Sequence, residues 1–94
     1  MIAVLGHLVV DPENRDSFLA VSLGAIQAAR RTPGCLHFTV TADPVEPAWV
    51  AIAELWSSRA ELEAFRSSPS GEDDANPSAY VREFHVTEYD VADL

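Results

Sequence analysis

Lysine is missing from this chain of 94 residues, and six arginines face fifteen acidic residues, for a formal net charge of −9. A surface of that sign repels polyphosphate backbones and anionic headgroups, which argues against nucleic acid and membrane as partners. Cysteine is nearly as scarce. Cys35 stands alone, so no intrachain disulfide can form, and a reducing compartment is the natural setting. No Cys/His cluster with metal-ligand spacing, glycine-rich phosphate loop or nucleophile elbow occurs. Apolar runs fall short of the roughly eighteen residues of a membrane helix. The opening Met1-Ile2-Ala3-Val4 carries no basic segment or small-residue cleavage pattern. A cytoplasmic protein without metal, flavin or haem is the expectation.

What is present is a globular mixture, 48% apolar and 22% charged. Residues 1–94 are one domain's worth of chain. With neither disulfides nor an obvious metal to staple so small a core, oligomerisation is the natural remaining support.

Residues 2–10, IAVLGHLVV, are aliphatic and β-branched and stop before Asp11-Pro12, which predicts a strand apolar on both faces. Asp11 can cap a following helix with Pro12 at its first position. In that helix Phe18, Leu19, Leu23, Ala25, Ile26 and Ala29 cluster on one arc, and Pro33-Gly34 ends it. Strands are predicted over 35–42, where Leu36, Phe38 and Val40 alternate with His37, Thr39 and Thr41, and over 48–56 across a short loop. Ser58 to Glu61 forms a capping box for a short helix over 59–66. Residues 67–78, with three consecutive acids, predict a solvated loop, and 79–91 a last strand.

The order β-α-β-β-α-β predicts the ferredoxin-like α+β class, a four-stranded antiparallel sheet with both helices on one face. The other face is left bare, although the strands carry apolar residues in both registers. A second copy of the same sheet is the expected cover, with Gly6, Ala51 and Ala53 allowing close approach.

Three segments look familiar together: the opening strand into a proline-initiated helix, Thr32-Pro33-Gly34-Cys35-Leu36, and Ala53-Glu54-Leu55-Trp56 running on through Phe65 to Ser68-Pro69. In this order they resemble the antibiotic biosynthesis monooxygenase family, over roughly residues 1–69. The resemblance implies a dimeric α+β barrel with a substrate cavity between sheet and helices in each subunit. It also implies, in some branches, oxidation of aromatic substrates by O₂ without metal or flavin, and in others haem degradation. Members that oxidise polycyclic phenols are similar in having a tryptophan where Trp56 stands. Their Asn and Tyr positions correspond to Ile52 and Leu62. Where haem-degrading members carry an Asn and a Trp, this chain has His7 and Phe65, and it has no histidine between Arg66 and Phe84. Many relatives carry Ser-Pro-His-Phe where this chain reads Ser68-Pro69-Ser70-Gly71.

His7 shares a register with Ala3 and Leu5 and, if the family alignment holds, faces the helices. It is then either a satisfied core histidine or the base that removes a phenolic proton. Trp56 is the second candidate catalytic residue. Phe38, Ile52, Leu62, Phe65 and His85 are the candidate substrate-binding positions, although aromatic rings at such places more often build core. His85 would neighbour His7 if the first and last strands pair, but two histidines make a poor metal site. Glu54, a charge inside an apolar strand, calls for a structural partner such as Arg82 or Arg59. The expected function is a small cofactor-independent monooxygenase acting on a phenolic, polyketide-like ring. The alternative is a non-catalytic dimeric binding or accessory domain of the same fold.

Overall fold

The computed structural model describes residues 1–67 and 77–92. Strands β1 (Ile2–Val10), β2 (Cys35–Ala42), β3 (Trp49–Trp56) and β4 (Val81–Asp90) form one antiparallel sheet in the order β2-β3-β1-β4. Helices α1 (Arg15–Arg30) and α2 (Arg59–Ser67) follow β1 and β3. This is the ferredoxin-like α+β arrangement the pattern predicts. Residues 68–76, which hold most of the expected acidic loop, lie outside the described residues; 77–80 form a 3₁₀ turn. No described helix is long and apolar enough to cross a membrane.

Pairing register decides the faces. Val4 sits opposite Glu54 on one side and Glu88 on the other, and Phe38 opposite Glu54. Ile2, Val4, Leu8 and Val10 are buried under the helices with Phe38, Val50 and Trp56. The alternate residues of β1, Ala3, Leu5, His7 and Val9, therefore face the open side, where Leu5 is 47% exposed. Two apolar clusters fill the helix side. One joins Ile2, Val4, Ile26, Phe38, Trp56 and Leu62, and the other joins Leu8, Val10, Phe18 and Val50.

Several local expectations are corrected. Asp11 does not cap α1. Its side chain accepts a hydrogen bond from Arg82 (2.6 Å), and a 3₁₀ turn over Pro12–Asn14 comes before the helix. The buried stripe of α1 is Phe18, Ser22, Ile26 and Ala29, while Leu23 is 57% exposed, because α1 is turned so that the serine meets the core. The Ser22 hydroxyl donates to the Phe18 carbonyl at 2.7 Å, so its burial strands no polar atom. Leu36 falls at a shift in β2–β3 register and is 55% exposed, out of the expected apolar alternation with Phe38. Ser58 does cap α2: the Glu61 amide donates to Ser58 Oγ at 3.2 Å, and the Glu61 carboxylate accepts from the Ser58 hydroxyl at 3.1 Å.

Gly6 has φ +150°, and a Cβ there would run into the His85 carbonyl and stand 2.8 Å from Val86 Cα. It serves the close approach of β4 to β1, not that of a second sheet as expected.

Candidate functional site

α1 packs chiefly over β2 and α2 against β3. The helix side of β1 and β4 is thus only partly roofed, and a cleft of about 370 Å³ opens there, in the range of small-ligand sites. Its lining falls into rows set by the strand register. Glu54, Val4 and Glu88 make the first row, Ile52 and Val86 the second across Gly6, and Leu8 and Phe84 the third. Arg66, from the last turn of α2, closes the first row. The result is a polar end and an apolar floor, with Phe84 67% exposed at the far edge.

Glu54 is the half-buried charge of this site. The fully buried Trp56 donates its indole N–H to Glu54 Oε1 at 3.0 Å, from two residues on along the same face of β3. Burial pushes the Glu54 carboxyl above the usual range; the Trp56 hydrogen bond and the Arg66 charge pull it back, and Glu88 adds to the rise. Such a carboxylate holds a proton more readily than one in water, which suits a base that must accept one from a weak acid. Glu88 has the opposite character. It accepts from Arg59 at 2.9 Å and Arg66 at 2.7 Å, and these, Arg59 first, hold its carboxyl below the usual range. The expected pairing of Glu54 with Arg82 or Arg59 is corrected, because Arg82 reaches Asp11 and Arg59 reaches Glu88.

Of the candidate catalytic and substrate-binding residues named from the sequence, Ile52 alone lines this cleft; Glu54, which was expected to be structural, lines it too. Trp56 and Leu62 are fully buried behind it, and Phe65 packs on Trp56 (ring centroids 5.2 Å) and edge-on to Phe38 (5.9 Å). Phe38 borders a separate recess of about 230 Å³ with Arg30, Cys35 and His37. His7 is a correction. It faces away from the helices, stacked between Trp49 (3.8 Å) and His85 (4.9 Å), because parity along β1 gives the helix side to Val4 and Leu8. β1 and β4 do pair, and His7 is in register with His85, whose ring nitrogen meets Glu83 at 2.7 Å. His37, in register with Leu55, shares that open side, so no histidine faces the cleft and it offers no imidazole to a haem iron. Arg66 and Glu88 were missed. Their signal was the spacing of Arg59 and Arg66, seven apart and so on one side of α2, facing an acidic strand.

A four-stranded antiparallel sheet with both helices on one face, and a half-roofed cleft with a carboxylate at its polar end, defines a small ferredoxin-like α+β class. The model of the antibiotic biosynthesis monooxygenase family matches residues 1–75, and the chain belongs to that family. An uncharacterized protein of Synechocystis is 31% identical over 68 residues, 72% of this chain and 46% of that protein, so the chain spans about half of its length. Among solved structures, a protein proposed to be an antibiotic biosynthesis monooxygenase from Deinococcus radiodurans superposes with a TM-score of 0.84 at 23% identity, covering 100% of this chain and 95% of that one. Another so described, from Chloroflexus aurantiacus, gives 0.80 at 26% identity, covering 98% and 93%.

Proposed function

We propose that the cleft is the active site of a small oxygenase that needs no cofactor, with Glu54 as its base. The single observation behind this is the half-buried Glu54 carboxylate, aimed by the Trp56 indole and facing an apolar floor. An electron-rich ring with an acidic proton, such as an anthrone, would lie on Ile52, Val86 and Leu8 with its acidic edge toward Glu54. Glu54 takes that proton, and the resulting carbanion gives its electrons to O₂. One oxygen atom stays on the ring carbon as a carbonyl. The other leaves as water with the two methylene hydrogens, so no external reductant is consumed. His7 has no part in this step.

Incubating the protein with anthrones and hydroquinones under O₂, and following quinone formation beside Glu54→Gln, tests the reading. Turnover that depends on Glu54 is expected; a wild-type protein inert across the panel would sink it. A second reading, a binding domain without chemistry, is favoured by the apolar Ile52 and the fully buried Leu62, which offer no polar partner to a reacting ring. Binding without turnover would establish it.

The open face supports a homodimer. Ala3, Leu5, Ala51, Ala53 and Leu55 form a flat apolar patch there, flanked by the stacked His7 and Trp49 rings. A second sheet of the same kind fits such a patch.

A further inference from the structure

One carboxylate serves two guanidiniums at the polar end of the cleft. Glu88 Oε1 accepts from Arg59 and Oε2 from Arg66, and of the two arginines only Arg66 lines the cleft. We propose that Arg66 is the anion-recognition residue of the cleft, and that its ligands are flat, largely apolar molecules with one carboxylate or ionised hydroxyl at the end that meets α2. The proposal rests on the reading of the cleft as a ligand site and names the class of molecule it takes.

Three features carry it. Arg66 can leave Glu88 without stranding a charge, because Arg59 stays on the other oxygen. The hydrogen bond to Glu54 comes from Trp56, and Arg66 acts on that carboxylate through its charge. Among the described residues the lining is polar only at the end where Glu54, Glu88 and Arg66 meet, while the floor from Val4 to Leu8 is apolar over four residue steps, roughly 13 Å of strand. That length suits fused rings with an anionic group at one end. A phenolate formed when Glu54 takes a proton would meet the same guanidinium. The net charge of −9 does not attract anions from a distance, so recognition here is by short-range contact.

Titration calorimetry with 2-naphthoate and its neutral analogue 2-naphthamide tests the proposal without any turnover. The wild type should bind naphthoate more tightly than naphthamide. Arg66→Gln should weaken naphthoate roughly three- to tenfold, a modest loss because the guanidinium is half-exposed and screened, and leave naphthamide unchanged. Arg66→Lys should restore part of the difference. Glu88→Gln should tighten naphthoate, because it releases Arg66; a purely structural Arg66–Glu88 strap predicts the reverse. Equal binding of the two probes, no binding of either, indifference to Arg66→Gln, or weaker naphthoate binding in Glu88→Gln each overturns the proposal. Any of these outcomes together with Glu54-dependent turnover of a neutral anthrone by the wild type would leave the oxygenase reading standing while this one fails. Loss of both binding and turnover in the wild type would bring down both.

Discussion

On the helix side of the sheet, Val4, Leu8, Val50 and Trp56 are buried, while on the open side Leu5, Ala51, Ala53 and Leu55 remain partly in water. The titratable groups divide the same way. The helix side holds the Glu54 carboxylate and the Glu88 ion pairs; the open side holds the three histidines. One side therefore offers a cleft of limited volume with a desolvated acid, and the other a flat stack of rings and small aliphatic residues. Proton transfer from a bound small molecule needs the first, and sheet-on-sheet association the second. The lesson is that polarity along a strand says little until the face is known, since His7 and Glu54 are both polar residues inside apolar strands and lie on opposite sides.

The comparison breaks most sharply on catalysis. Glu54→Gln should lower the rate of ring oxidation by about 10²–10⁴-fold, the usual worth of a placed base, whereas His7→Ala should leave it unchanged. Steady-state rates of the two folded variants decide it. A collapse in His7→Ala alone would return the chemistry to the open side.

Stability separates the faces next. Leu62→Ala should cost about 2–5 kcal/mol in denaturant unfolding, because Leu62 is fully buried beneath α2. Leu5→Ala should cost under about 1 kcal/mol in the monomer, from loss of one exposed side chain. In a dimer that small cost should grow with protein concentration, which unfolding at several concentrations would reveal.

Association should respond only to the open side. Ala53→Arg places a charge in the middle of that patch and should leave a species of monomer mass in sedimentation at micromolar concentration, while Glu54→Gln, one residue away on the other face, should not. A wild-type protein that sediments as a 10.2 kDa monomer would show the face to be uncovered.

The smallest effect expected is in pH. Because the folded state raises the Glu54 pKa, it binds more protons than the unfolded chain between the ordinary glutamate value and the raised one. Stability should fall as pH rises through that window and level off above it. Glu88, with a lowered pKa, contributes in the opposite sense, its stabilisation being lost as pH falls through its folded value. Glu54→Gln should remove the first slope and retain the second, as read from unfolding midpoints across pH.

Element order, strand runs and helix ends were legible in the chain because each is local. Pro33-Gly34 ends α1, with Gly34 at φ +88°, and Ser58 with Glu61 starts α2. The open apolar side was legible too, from strands that are hydrophobic in both registers. The side on which His7 lies was not, because β1 is apolar in both registers and either parity looks sound. β2 breaks the tie. Phe38 and Val40 give it one clearly apolar register, which antiparallel pairing passes through Glu54 to Val4 and through Ile52 to Gly6, so His7 falls on the far side. By itself the sequence determined which segments are strands and helices, since propensity, proline and caps act within a few residues. The tertiary structure alone decided the faces and brought Glu54, Arg66 and Glu88 to one end of a cleft, because register is a relation between strands far apart in the chain and a one-residue slip would turn every side chain over.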